Sequence, residues 1–314
     1  MNKSDYLKLL YHAQLVKHWS DVTDKIKDKY NPSESWMVQY KYDGIYVNLI
    51  IDNGVTLALS RTGLPLSDET QAFFTSKVKD LFKEDVLDGV YVLELCNPSL
   101  SLEELSGIIN PNRKKPLEND LKEVLFNNSY TCFHDFISLK DYKGGMCLTP
   151  YLTRYQSLSR RIKCKWVVPS LLVDSSDVQE HANAAIEEGA EGIVIKAPYA
   201  VWKAGFRGWH AMKIVREYTM DLRCIGCVFG QGKREGLIAA LIFKYKDSTF
   251  KADFGKGYTD EERQRLTAEY LENPDSILGI WEIKGLQESS TGKALRLPKV
   301  VRPRFDKTIA DDEV

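Results

Sequence analysis

The chain lacks any long apolar run. A membrane-spanning helix needs about 20 consecutive, mostly apolar residues, and the 314-residue sequence offers no such stretch. No membrane partner is expected. The first residues also lack the basic, apolar and small-residue order of a signal peptide, so a cytoplasmic, reducing location is expected. An excess of one charge sign is missing too: 43 Lys and Arg oppose 44 Asp and Glu, a net charge of −1. Global basicity of the kind that announces a nucleic-acid partner is therefore absent. Paired CxxC motifs are missing as well. Among six cysteines there is one Cys224-Ile225-Gly226-Cys227, inside a strand-like run. Half-buried strand cysteines are expected there, rather than a zinc or redox site. No internal repeat or low-complexity segment is visible.

What is present is a globular composition, 43% hydrophobic and 28% charged, long enough for two domains. Ser4 as an N-cap, with Tyr6, Leu9, Leu10, Ala13, Val16 and Trp19 at helical spacing, predicts a helix over residues 4–29, broken by Asn31-Pro32-Ser33. Residues 36–60 read as strands with a turn at Asp52-Asn53-Gly54. Further strands are expected over 90–96, 130–139, 166–173 and 193–195, and helices over 70–82, 101–109, 154–162 and 178–188. Near Tyr218 the pattern changes. Five short strands and one helix follow in under a hundred residues, which predicts a small Greek-key barrel such as an OB fold. The expected fold class is α+β, with domains over 1–218 and 219–314. Charge is local rather than global: Lys293, Arg296, Lys299, Arg302, Arg304 and Lys307 face a single nearby acid, Asp306.

Lys41-Tyr42-Asp43-Gly44 carries the sharpest chemical signal. It follows the apolar run Trp36 to Tyr40 and precedes the run Ile45 to Ile51. A lysine so placed can face a cleft and act as a nucleophile. Taken alone, Asp-Gly favours a plain surface hairpin with a solvated lysine. Four other segments bear on the choice. Ser60-Arg61-Thr62-Gly63 puts an arginine fork at a strand end, where it suits a phosphate. Glu94 interrupts the apolar run from Val90 to Leu95; alternation puts it on the face of Val90 and Val92, opposite Leu93 and Leu95. Glu191-Gly192 precedes a buried strand that ends at Lys196, and Trp209-His210-Ala211-Met212-Lys213 supplies one more cation. Each has a plain structural alternative, a salt bridge or a solvated side chain.

In order and spacing these segments resemble the motifs of the covalent nucleotidyltransferases. The second half, with Gly230-Gln231-Gly232-Lys233, Gly255-Lys256-Gly257 through Arg263, Leu295-Arg296-Leu297-Pro298 and Arg304-Phe305-Asp306-Lys307, resembles the OB domain of ATP-dependent DNA ligases. The resemblance runs from about Trp36 to Lys307 and is greatest to the small bacteriophage and bacterial type. It implies an adenylation domain of antiparallel sheets and flanking helices, followed by an OB barrel. It implies ATP as cofactor, with AMP attached to Lys41, then transfer of AMP to the 5′-phosphate of a nick in duplex DNA, and sealing by the 3′-hydroxyl. Magnesium, or manganese in its place, would be held by Glu191, with Glu94 as a second carboxylate that also holds the ribose. Gln39 and Tyr40 would line the nucleotide site beside Lys41, and Arg61, Lys196 and Lys213 would surround the phosphates. Arg304 and Lys307 would orient the departing pyrophosphate, and the barrel would turn about a hinge near residues 217–221 to embrace DNA. A monomer is expected, in host cytoplasm if phage-encoded.

The sequence departs from the family pattern at three points. Tyr46 stands where arginine is frequent, Ala211 where a lysine is usual, and His134 where an aromatic residue stacks on adenine; Phe133 and Phe136 are the alternatives if the register differs. Lys203 or Arg207 are candidates for the missing charge. An RNA ligase of the same superfamily and a non-catalytic OB-containing nucleic-acid-binding protein are the competing readings.

Overall fold

The computed structural model describes residues 3–23, 25, 35–83, 88–255, 257–286, 288 and 292–313. Two compact units divide it, residues 1–215 and 216–314. In chain order the first unit contains strands β1 (Leu15–His18), β2 (Ser35–Lys41), β3 (Ile45–Asp52), β4 (Val55–Ser60), β5 (Gly89–Cys96), β6 (Tyr130–Ile137), β7 (Met146–Cys147), β8 (Leu171–Asp174), β9 (Gly192–Lys196), β10 (Trp202–Lys203) and β11 (Arg207–Val215). Two main sheets result, ordered β1-β11-β9-β2-β8 and β4-β3-β5-β6. All pairings in them are antiparallel except β1 with β11.

Helices cover the apolar outer face of each sheet. The helix Asp68–Leu81 is capped by Ser67 and turns Phe73, Phe74, Val78 and Leu81 inward. They join Tyr91, Leu93 and Leu95 of β5 and Phe133 of β6 in one core. Ser101 and Glu104 form a reciprocal capping box that starts the helix Leu102–Ile109. A helix over Asn119–Asn128 was not apparent in the polar sequence, and only Leu125 anchors it fully. The helix Val178–Glu187 packs Val178, Ala182 and Ala185 against Ile193 and Ile195 of β9.

Two expectations fail here. The N-terminal segment is not a long helix: within the described residues it is one turn over Ser4–Leu7, then β1, then a 3-10 turn over Trp19–Asp21. Residues 24 and 26–29, with Asn31-Pro32-Ser33, lie outside the described set. Tertiary contacts outweigh the helical spacing. Tyr6 is buried with its hydroxyl donating to Asp52, β1 finds a ladder on β11, and Trp19 meets Trp36 edge-on at 6.0 Å. The strand expected over 166–173 is instead a 3-10 turn, Cys164–Trp166, with β8 starting only at Leu171.

The second unit is a closed five-stranded barrel. Its strands are β12 (Tyr218–Phe229), β13 (Ile238–Tyr245), β14 (Ser248–Phe254), β15 (Gly279–Gly285) and β16 (Lys299–Pro303), in the order β12-β13-β14-β16-β15. Closure between β12 and β15 removes the free edges. Leu222, Leu241, Phe243, Ala252, Ile283 and Val300 fill the interior. Cys224 is buried and Cys227 part-buried on β12. Lys256 of the glycine-rich segment lies outside the described residues. The helix Asp260–Glu272 starts at Thr259, which caps the Glu262 amide.

Candidate active site

Lys41 is not in a hairpin. It ends β2, whereas β3 belongs to the other main sheet. Residues 42–44 are therefore a crossover, and the lysine sits where the chain leaves one sheet for the next. A side chain at Gly44 would put its Cβ 2.6 Å from Cys96 Sγ and 2.9 Å from the Leu95 carbonyl oxygen, so only glycine lets the crossover lie on β5.

The register determines what shares a face with Lys41. On the first sheet Gln39 pairs with Val194 and Lys41 with Gly192, while Ala211 pairs with Lys196 and Lys213 with Val194. Cross-strand partners point to the same side. Gln39, Lys41, Lys196, Ala211 and Lys213 thus occupy one face, and Ile193, Ile195 and Met212 face the opposite core. On the second sheet Tyr46 pairs with Glu94, and a bulge in β6 places His134 as the extra residue between Phe133 and Asp135. Val90 and Val92 pack in a different cluster from Leu93 and Leu95, as alternation requires for Glu94.

Direct contacts join the two polar faces. Tyr151 Oη donates to Gln39 Oε1 at 2.7 Å and lies 3.0 Å from the His134 carbonyl oxygen. Gln39 Nε2 donates to the Val168 carbonyl oxygen at 3.3 Å. Lys196 Nζ reaches Asp135 at 3.4 Å and lies 4.2 Å from the centre of the Tyr151 ring. Arg154 grips Asp135 through two parallel hydrogen bonds of 2.9 and 3.0 Å, both residues buried. Burial alone would raise Asp135, but Arg154 and Lys196 hold it down at about 2.

Lys41 Nζ forms an ion pair with Glu191. Glu191 also donates its amide to the Lys41 carbonyl oxygen at 3.2 Å, so main chain and side chain hold the two residues together. Gly192 makes this possible. Its φ is 144°, and a Cβ there would stand 2.1 Å from the Ile214 carbonyl oxygen. Burial pushes the Glu94 carboxyl up to about 7; Lys41 and Arg61 oppose this, Glu191 and Asp43 add to it. Lys213 is lowered by burial and then by the Lys41 charge, with Glu191 opposing. Lys196 is lowered by burial against the pull of Asp135. Burial, followed by the Lys196 charge, takes His134 down to about 3, which leaves a neutral ring.

Most of the sequence candidates in the first unit therefore gather at one place: Lys41, Glu94, His134, Glu191, Lys196, Lys213 and, electrostatically, the exposed Arg61. Gln39 lines the same face. Tyr40 does not. Its side chain takes the opposite face of β2 and donates to Glu188 at 2.7 Å, because adjacent strand residues alternate. Phe133 and Phe136 are core residues, so His134 is the ring on the cleft side. Arg207 acts on Lys213 through its charge, while the exposed Lys203 lies 5.8 Å from the Phe206 ring. Sequence reasoning missed Asp135, Tyr151 and Arg154. Their signal was an ionisable strand residue among Phe133, Phe136 and Ile137, and an arginine on the inward stripe Tyr151, Arg154, Leu158.

Arg304 and Lys307 lie in the second unit. Arg304 donates to Asp306 at 2.9 and 2.8 Å and to Asp221; Lys307 also pairs with Asp221. The local basic cluster is largely compensated in the fold, since Lys299 pairs with Asp253 and Arg302 with Glu282. Those acids come from distant strands, so the sequence window counted only Asp306.

A family model described as ATP dependent DNA ligase domain matches residues 13–214. The chain belongs to this family. Curated relatives include a DNA ligase of Thermoplasma volcanium, 31% identical over 79% of this chain and 44% of its own length. A probable DNA ligase of Rhodococcus opacus is 31% identical over 69% of this chain and 47% of its own. The chain thus spans less than half the length of these ligases. In fold it is similar to a Lig E DNA ligase described as binding DNA with a minimal scaffold: TM-score 0.65, 17% identity, 94% of this chain and all of that one. The ATP-dependent DNA ligase of bacteriophage T7, solved with ATP, has a TM-score of 0.51 at 17% identity and covers 93% of this chain and 98% of its own. Among the described residues no helix is long and apolar enough to cross a membrane.

Proposed function

We propose that this chain is an ATP-dependent DNA ligase that seals nicks in duplex DNA through AMP carried on Lys41. The observation that carries the reading is the Lys41–Glu191 pair at a sheet crossover, ringed by Glu94, Lys196 and Lys213, in a chain of the ligase-domain family. In the first step Lys41 Nζ attacks the α-phosphorus of ATP. A P–N bond forms, the bond from the α-phosphorus to the bridging oxygen breaks, and pyrophosphate leaves with the electron pair. The Lys41 ammonium first gives a proton to Glu191, the carboxylate that touches it, which frees the lone pair for attack, and a second proton passes from the nitrogen to water once the P–N bond has formed. Preorganised cations make the approach of the triphosphate favourable and require little rearrangement during reaction. In this reading His134 offers a neutral face to the purine, Glu94 holds the ribose, and Arg61, Lys196 and Lys213 face the phosphates. Arg304 and Lys307 leave Asp221 to engage pyrophosphate. AMP then moves to the 5′-phosphate of the nick and is expelled by the 3′-hydroxyl.

Magnesium fits as a companion of the nucleotide. Among the described residues no three His, Cys, Asp or Glu side chains form a cage for a metal. Glu191 and Glu94 supply two carboxylates, enough for an ion whose other ligands are phosphate oxygens and water. The ion would offset negative charge on the phosphates.

Incubation with ATP labelled at the α-phosphate, with magnesium, tests the reading. Wild type is expected to retain covalent label and Lys41→Ala none; nicked duplex DNA should be sealed in preference to RNA strands. Absence of label on AMP-free wild type would refute the enzymatic reading.

A further inference from the structure

The family match begins at residue 13, yet two side chains before it are built into the first unit. Tyr6 is fully buried and His12 is 3% exposed. His12 Nε2 is 3.0 Å from the Leu9 carbonyl oxygen and Nδ1 is 2.9 Å from Tyr142 Oη. A carbonyl can only accept, so Nε2 carries the proton and Tyr142 donates to Nδ1. The His12 main-chain carbonyl in turn accepts from Asn48 Nδ2 at 2.8 Å. That fixes the amide so that Oδ1 faces Tyr46, whose hydroxyl donates to it at 3.0 Å. The Tyr46 ring then meets His134, with centroids 6.2 Å apart and planes at 54°. Every group in this chain has one direction of donation, so no member can turn without leaving a buried polar atom unpaired.

The imidazole has a second contact on the same side. A Cβ at Gly63 would lie 2.0 Å from His12 Nε2, so the ring rests directly on that glycine, whose φ is 84°. Gly63 closes the tight turn that carries Arg61, with its amide donating to the Ser60 carbonyl oxygen at 2.9 Å. Two short routes thus run from one residue outside the matched segment to two walls of the Lys41 cleft.

We infer that His12 is a positioning residue for the nucleotide cleft, acting through Asn48 on the Tyr46–His134 pair and through Gly63 on the Arg61 turn. The inference rests on the ligase reading. It assigns Tyr46 a role as a hydrogen-bonded strut that sets the angle of His134, the ring offered to the purine.

Tyr46→Phe, Asn48→Leu and His12→Ala, with the Tyr46→Phe/His12→Ala double variant, test it in the Lys41 adenylation assay. A purely structural loss reduces the amount of active protein, lowering kcat and leaving KM for ATP unchanged. A positioning loss raises KM by about three- to ten-fold in each single variant while kcat stays within about two-fold. His12→Ala keeps the main-chain carbonyl that Asn48 grips and acts by freeing the segment its ring ties to Tyr142 and Leu9, so the double variant should lose less than the sum of the two single losses. If His12→Ala does not fold, Asn48→Leu breaks the same chain one step later with a side chain of similar shape. Unchanged KM in a folded His12→Ala, or in both Tyr46→Phe and Asn48→Leu, overturns the inference. Label on wild-type Lys41 is scored separately, so failure of the ligase reading is distinguished from failure of this one.

Discussion

Glu94→Gln should make the protein more stable and less active, and the size of the first effect follows from the site. Burial holds the Glu94 carboxyl near pH 7 against an ordinary 4.5. The folded state therefore keeps a proton that the unfolded state has already lost. Between pH 4.5 and 7 this makes stability fall as pH rises, because the charge must form inside the fold. A shift of that size corresponds to about 3 kcal/mol, and water reaching the part-exposed side chain brings the expected penalty to about 2 kcal/mol. Glutamine carries no charge, so the variant escapes the penalty. The difference from wild type should be near zero at pH 4.5, grow through pH 7, and level off above it. Urea unfolding followed by tryptophan fluorescence suits the measurement, since Trp19, Trp36, Trp166, Trp202 and Trp209 all lie in the first unit and only Trp281 in the second. Adenylation should drop by about ten-fold or more, the loss expected when a charged hydrogen-bonding partner of the ligand is neutralised. A variant less stable than wild type at pH 8, or a difference that does not change with pH, would show that burial does not outweigh the nearby cations at Glu94.

Asp135→Asn should act in the opposite direction. It strands the buried Arg154 guanidinium and should cost about 3–5 kcal/mol at pH 7, read as a lower urea midpoint. Since Asp135 is held at about 2, its stabilising contribution is present above the ordinary carboxylate value and is lost as pH falls from about 4 to 2, so the two proteins should converge in acid. Gly192→Ala forces a side chain onto the Ile214 carbonyl oxygen at a φ of 144° and should cost at least about 2 kcal/mol. Because Gly192 sets the Lys41–Glu191 pair, label on Lys41 should fall further than the folded fraction does; a fully active alanine variant would contradict that placement.

Much of the cleft was legible before the fold was known, for particular reasons. Alternation along residues 90–95 placed Glu94 opposite Leu93 and Leu95, and the apolar run after Glu191 marked β9 as buried with Lys196 at its end. These are local patterns, and strand periodicity is a local property. Residues 8–23 were misread because their spacing also suits a helix, and only the β11 edge and the Trp36 ring, far away in sequence, decide between the two. Asp135 and Arg154 were silent for a similar reason: each looks like a lone charge until the other is beside it.

The sequence alone determined the order of chemical groups, the two-part α+β layout and the five-stranded barrel, since motif spacing, hydrophobic period and turn residues are written along the chain. Only the tertiary structure decided that Lys41 stands at a crossover between two sheets rather than in a hairpin. It alone decided that Tyr40 faces away, that His134 rather than Phe133 or Phe136 lines the cleft, and that Asn48 is held by the main-chain carbonyl of His12. Each of these depends on strand register and sheet membership, which are set by pairing between residues distant in sequence.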